Sequence, residues 1–186
     1  MKKTILSIAV ITIVALTTAF SPIGSKLVSK TGHVNFFSHT AVEDITADNY
    51  KLLSTLETET GELIYSVPMQ SSEFEKSLMQ KHFNSDKFLD TKAFPKSKFK
   101  GMITNLSDID FGTDGEYNAN VSGDLTIHGQ TNAVTENATI TVAGGTITVD
   151  VVMDITLEDY GITFTKGKPS KSIAKTVKAT IKAVYN

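Results

Sequence analysis

From Tyr117 to His128 the chain alternates without a break. Tyr117, Ala119, Val121, Gly123, Leu125 and Ile127 fall on one side; Asn118, Asn120, Ser122, Asp124, Thr126 and His128 fall on the other. Successive side chains of an extended strand point to opposite faces, so this segment reads as a strand with one buried face and one wet face. The pattern returns in Ala138, Ile140 and Val142, then in Ile147, Val149, Val151, Met153, Ile155 and Leu157. Gly144-Gly145 stands between those two runs as a two-residue hairpin turn. Val177, Ala179, Ile181, Ala183 and Tyr185 form a last run. Thr, Ile and Val make up 55 of the 186 residues, the composition of a strand-rich chain.

Alternating runs of this length exceed the ~5–6 residues of an average strand. Long hairpin-linked strands curl, and closure removes their unpaired edges. The expected fold is therefore all-β, an eight-stranded up-and-down antiparallel barrel. Upstream, residues 22–31 read as a polar lead-in, and His33, Asn35 and Phe37 alternate with Val34, Phe36 and Ser38. Glu43-Asp44 reads as a turn or a single helical turn, and residues 46–57 and 63–69 as strands around Glu59-Thr60-Gly61-Glu62. Phe99, Gly101 and Ile103 alternate in a further strand.

One segment changes period. Phe74, Leu78, Met79, His82 and Phe83 follow helical spacing, with Ser72-x-x-Glu75 as a capping box. Ser85 can cap a second short helix holding Phe88 and Leu89, ended by Phe94-Pro95. A helical insertion near residues 72–90 thus interrupts the strands.

Lys2 and Lys3 precede an apolar run from Ile5 to Leu16, followed by Thr17, Thr18, Ala19, Phe20 and Ser21. This is the layout of a cleaved export leader over residues 1–21, with Thr17/Ala19 or Ala19/Ser21 flanking the cut. The run is 12 residues long, short of the ~20 of a spanning helix. Residues 22–186 then form one domain with no stable membrane insertion. They carry 16 Lys against 20 carboxylates, a net charge of −4. The chain has no Cys and no Arg. Disulfides, thiol catalysis and Cys-bound zinc are excluded. Nucleic acid is a poor partner for an acidic chain without guanidinium forks.

The inner rows mix large with small residues: Gly101, Ala119, Gly123, Ala138, Ala179 and Ala183 among the aromatics. Either the small residues leave a cavity for a greasy ligand, or they only let large neighbours fit the taper of a filled barrel.

Two segments resemble the YceI-like family. Residues 74–99 match its helix-and-strand pattern through His82, Phe83, Ser85, Asp86, Phe88, Phe94, Pro95 and Phe99. Residues 121–134 match its Gly-Asp-Leu-Thr-Ile-His-Gly-x-Thr motif through Gly123 to Gly129 and Thr131. Gly32-His33-Val34-Asn35-Phe36 is similar to its opening strand. The resemblance implies an extended lipocalin-like barrel, exported in bacteria, that holds a long isoprenoid lipid in a hydrophobic tunnel. The chain departs from the family pattern in lacking the Arg that often accompanies the His. Lys76 and Lys81 are the nearby cations, and point charges do not clamp a phosphate as a guanidinium does.

The leading expectation is an exported, non-catalytic carrier or scavenger, periplasmic or secreted, with no cofactor and no metal. The lipid chain is expected among Phe36, Phe74, Leu78, Phe83, Phe88, Phe99 and Tyr117, with His82 near its head group at the barrel mouth. A homodimer is left open. His82 also reads as a helix histidine satisfied locally, and His128 as a residue that orders the turn at Gly129. An enzyme acting on lipid with His82 as acid/base, or a filled barrel with a structural or stress role, are the alternatives. Asp110 to Gly115 lacks the ligand spacing of a calcium loop, and no P-loop, G-x-S-x-G or G-x-G-x-x-G occurs.

Overall fold

In the computed structural model, which describes residues 26–164 and 169–186, the alternating runs become strands as expected. The expected leader, residues 1–21, lies outside the described residues. In chain order the elements are β1 (Lys26–His39), β2 (Asp44–Glu57), β3 (Glu62–Pro68), the two-residue β4 (Glu73–Phe74), α1 (Ser77–Asn84), β5 (Lys96–Ile103), β6 (Gly115–Ile127), β7 (Gln130–Ala143), β8 (Thr146–Thr156), α2 (Pro169–Ser172) and β9 (Thr176–Tyr185). Each long strand pairs antiparallel with the next long strand. β9 returns to β1, with His33–Phe37 against Lys182–Lys178. Eight strands thus close into the barrel, and β4 adds to β2 at its rim.

Several local expectations are corrected. β1 already runs at Lys26, where a polar lead-in was expected. Its buried residues are Ser29, then Gly32, Val34 and Ser38, because Lys30 and Thr31 bulge outward and shift the parity by one. β2 repeats this, with Ala47 and Asn49 inside, Tyr50 and Lys51 outside, then Leu52 and Ser54 inside. Two such irregularities erase a simple period-2 signal.

The expected helix from Ser72 starts five residues late, and the capping box does not form. Asn49 is fully buried, and its Nδ2 donates to the Pro68 carbonyl at 2.9 Å and to Ser72 Oγ at 3.1 Å. Ser72 is therefore held inside instead of capping a helix. Glu73 and Phe74 extend to pair with Asp48 and Ala47. Ser85 caps no second helix; its Oγ donates back to the His82 carbonyl at 2.7 Å, and residues 86–89 form turns. Met69 belongs to a single 3-10 turn after β3, and Leu157 to another after β8.

One end of the barrel is filled. Leu56, Leu63, Ile140, Ile147, Val149, Ala183 and Tyr185 are completely buried there. Gly144-Gly145 turns at this end with φ of 57° and 83°, which a side chain with a Cβ resists. Gly101 and Gly123 face each other across β5 and β6. A Cβ on Gly123 would sit 2.3 Å from the Gly101 Cα, and one on Gly101 would sit 2.4 Å from the tip of the Phe99 ring. These glycines let two strands approach and let Phe99 fold over them; they do not open space. Replacing Gly123 with Val should cost about 1–3 kcal/mol of unfolding free energy, read from the shift of a urea transition, because the partner is backbone and cannot yield.

Candidate functional site

The other half of the barrel is hollow. A cavity of about 750 Å³, counting its open mouth, lies under α1. It is lined by inward residues of the strands, including Val34, Phe36, Leu52, Leu125, Met153 and Ala179. A second lobe of about 510 Å³ adjoins it, and Tyr65, Val67, Ser97, Leu125, Met153 and Ile181 line both. Among the described lining residues of the larger lobe, Tyr65 is the one ionisable group. The surroundings of the larger lobe favour an apolar guest.

The smaller lobe sits where two strands part. β7 pairs with β8 only from Ala138–Val151 to Ala143–Thr146. Beyond that the strands diverge, until Asn132 Nδ2 donates to the Asp159 carbonyl at 2.8 Å. Val134 and Glu136 keep the inner parity of β7 and line the lobe at this gap. Burial, and then the nearby Asp154 charge, raise the Glu136 carboxyl above its ordinary range.

The expected site residues divide into four groups. Phe36, Phe83 and Phe88 line the larger lobe, and Phe99 lines the smaller one. Phe74 does not line it but packs on Phe83 with ring centroids 4.9 Å apart; Phe83 continues to Phe88 at 5.6 Å, and Phe88 to Phe164 at 5.1 Å. This aromatic chain covers the mouth. Leu78 and His82 are exposed on α1, which has no buried residue, so neither reaches the cavity. Tyr117 lies toward the filled end, where its hydroxyl donates to the Thr113 carbonyl at 2.9 Å. His128 does order a corner: it takes φ of 49° in the β6–β7 turn, its Nδ1 lies 3.2 Å from the Tyr160 carbonyl, and Phe94 packs edge-on against its ring.

Sequence reading did not single out Tyr65, Met69, Leu89, Met153 or Phe164 as site residues, though all five are at the cavity or its mouth. Alternation marks the inner face but carries no signal for depth along the barrel. Phe164 lies in a connection, where no periodicity points to it.

Three buried hydroxyl residues, Ser29, Ser54 and Tyr65, lie on neighbouring strands, and of the three Tyr65 alone is among the residues that line the lobes. Ser29 pairs with Ser54 across β1 and β2, and Ser54 pairs with Tyr65 across β2 and β3. Directly opposed residues share a face, so the three form a row inside the wall. Ser54 Oγ is hydrogen-bonded to the Tyr185 hydroxyl. Burial pushes the Tyr185 phenol up to about 12, against the opposing effect of that hydrogen bond. Burial also raises Tyr65 well above its ordinary value, followed by Tyr185 and the Asp150 charge.

These two phenols tie stability to alkaline pH. Below pH ~10 they are protonated in both folded and unfolded chains. Above it the unfolded tyrosines ionise while Tyr65 and Tyr185 keep their protons, so stability falls as pH rises toward about 12. The chain has 5 Tyr and no Trp, so tyrosinate absorbance is read cleanly. Two phenols are expected to ionise only together with loss of the folded circular dichroism signal.

A profile of the YceI-like domain matches residues 24–185. Over 64 residues, 34% of this chain, the sequence is 41% identical to a UPF0312 protein of Pseudomonas putida strain W619, and the match spans 30% of that relative's length. A polyisoprenoid-binding domain from Saccharophagus degradans, implicated in plant cell wall breakdown, has a similar fold with a TM-score of 0.73 at 14% identity, covering 88% of this chain and 99% of that one. BcnA of Burkholderia cenocepacia gives 0.65 at 19% identity, covering 83% and 96%. A Campylobacter jejuni YceI protein gives 0.62 at 17%, covering 80% and 88%. The profile match runs through every barrel strand, and with it the chain belongs to the YceI-like domain family.

Proposed function

We propose that this protein is an exported, non-catalytic carrier or scavenger of a long isoprenoid-type lipid. One observation carries the reading: half of the barrel is packed solid, while the other half holds two adjoining apolar lobes under an aromatic mouth. Each methylene moved from water into such a lobe gains roughly 0.8 kcal/mol. The Saccharophagus degradans domain of similar fold, which is polyisoprenoid-binding, supports the choice of ligand. The enzyme alternative rested on His82, and that side chain is exposed on α1 away from both lobes.

The Lys2-Lys3 start and the apolar run of residues 5–16 support export through a cleaved leader, to a periplasmic or secreted destination. Among the described residues no helix is long and apolar enough to cross a membrane. A greasy chain that must pass through an aqueous compartment needs a shielded carrier.

Protein purified from its native host and extracted with organic solvent is expected to release a prenyl lipid detectable by mass spectrometry. Ala179 is 1% exposed and lines the larger lobe, between Phe36 of β1 and Met153 of β8. Filling the lobe with Ala179→Phe should lower uptake of an added prenyl chain at least about tenfold, equivalent to ~1.4 kcal/mol. Circular dichroism should stay barrel-like. No lipid in the extract and no uptake by the lipid-free protein would overturn the carrier reading.

A further inference from the structure

We infer that the gap between β7 and β8, wedged open by Glu136, is the doorway through which a lipid chain enters and leaves the cavity. The inference rests on the lipid-binding reading above and adds the route, which that reading leaves open.

A closed barrel shields a guest with a continuous wall, so entry needs a place where the wall yields. The aromatic mouth is a poor one. Phe74, Phe83, Phe88 and Phe164 pack ring on ring there, and parting them exposes apolar surface to water. The gap has no such seal among the described residues. Residues 130–137 of β7 pair with β6 alone, and residues 152–156 of β8 pair with β9 alone. Widening the gap therefore breaks no ladder hydrogen bond. Its far end is tied where Asn132 Nδ2 donates to the Asp159 carbonyl, so it is a slot and not a frayed edge.

The slot opens on the cavity. Val134 and Glu136 on one bank, and Val151 and Met153 on the other, line the smaller lobe. The inner row of β7 is buried at Ala138, Ile140 and Val142 but only half-buried at Asn132, Val134 and Glu136. Inward side chains that solvent reaches mark an opening in the wall. Outside, Thr131, Ala133, Thr135 and Asn137 carry no charge, and Val152 of the facing strand is 53% exposed.

Glu136 explains why the strands do not zip. It opposes buried Val121 across β6 and β7, so it belongs to the inner face. Continuing the β7–β8 ladder would set Glu136 against Met153 and seal its carboxylate in an apolar lobe, a large cost for an unpaired charge. Asp154 on the facing bank repels the same carboxylate. Lys98 borders the lobe and Lys178 pairs with Asp154 in register. The lysine ion pairs among the described residues are Lys100–Glu62 and Lys182–Asp150, so no lysine pairs with Glu136.

The chain has no Cys, so Thr135→Cys and Asp154→Cys together can be bridged across the slot by a reducible bifunctional thiol reagent and nowhere else. Both positions are exposed and outside the lobe lining. Uptake and release of retinol, a fluorescent isoprenoid, are then followed by stopped flow. The bridge is expected to slow both rates about tenfold, and reduction to restore them. Kd should stay within about twofold, because a doorway acts on both directions alike. Glu136→Val should gain hydrogen-exchange protection over residues 132–137 and take up retinol more slowly. Rates unchanged by the bridge, or a bridge that shifts Kd and leaves release alone, would overturn the inference. So would a Glu136→Val variant that stays unprotected or exchanges retinol at the wild-type rate. Faster exchange in Phe83→Ala with no effect of the bridge would put the route at the aromatic mouth instead. If wild type takes up neither retinol nor a polyprenol, the lipid-binding reading itself falls.

Discussion

Everything inside this protein depends on one seam. Five residues of β1, His33–Phe37, pair with Lys182–Lys178 of β9 and join the two ends of the chain's sheet. Without that seam the alternating strands form an open sheet with two free edges and a greasy face against water. With it, one row of side chains becomes an interior and the other becomes a surface. Residues far apart in sequence, such as Val34 and Ile181, then become direct neighbours. Cavity and core are both products of closure, since neither exists in any hairpin alone.

Whether the interior is solid or hollow is decided strand by strand. At one end Leu56, Leu63, Ile140 and Ile147 meet across a narrow section and leave no room. The Gly101–Gly123 contact belongs to the same region of close approach, where bare backbone is needed for β5 and β6 to meet. Toward the other end β7 and β8 diverge after Ala138–Val151, and the wall widens. The space there is bounded by Phe36, Phe83 and Phe88. The small residues therefore do two jobs. Gly101 and Gly123 serve packing, whereas Ala179 borders open space. Both readings of the mixed rows were open from sequence, and each holds at its own depth.

The strands from Lys96 to Tyr185 were legible because they keep strict parity. Every residue expected on the inner face of β8 is buried, from Ile147 to Ile155. The first two strands were harder, because bulges at Lys30-Thr31 and Tyr50-Lys51 switch the buried parity midway. The helix boundary failed for a different reason. Local spacing favoured a cap at Ser72, but Asn49, 23 residues earlier, holds that hydroxyl inside the fold. A long-range partner of this kind leaves no trace in a local window. For the site, the aromatics Phe36, Phe83, Phe88 and Phe99, expected beside a ligand, line the lobes, since inward parity and size are visible in sequence. Leu78 and His82 were misplaced because helical spacing defines a face without saying what covers it. The hydroxyl row was invisible: Ser29 lay in the expected lead-in, and Ser54 and Tyr65 looked like ordinary strand residues.

On the proposed function, a chain-like apolar ligand lies in the open half of the barrel and nowhere else. Isotope-filtered NOE spectra of the methyl-labelled protein with an unlabelled prenyl chain test this directly. Contacts are predicted from the ligand to the methyls of Val34, Leu125, Met153, Ile155 and Val177, and none to those of Ile140, Ile147 or Val149. Contacts confined to exposed residues such as Leu53 and Leu78, or to the packed end, would contradict the account.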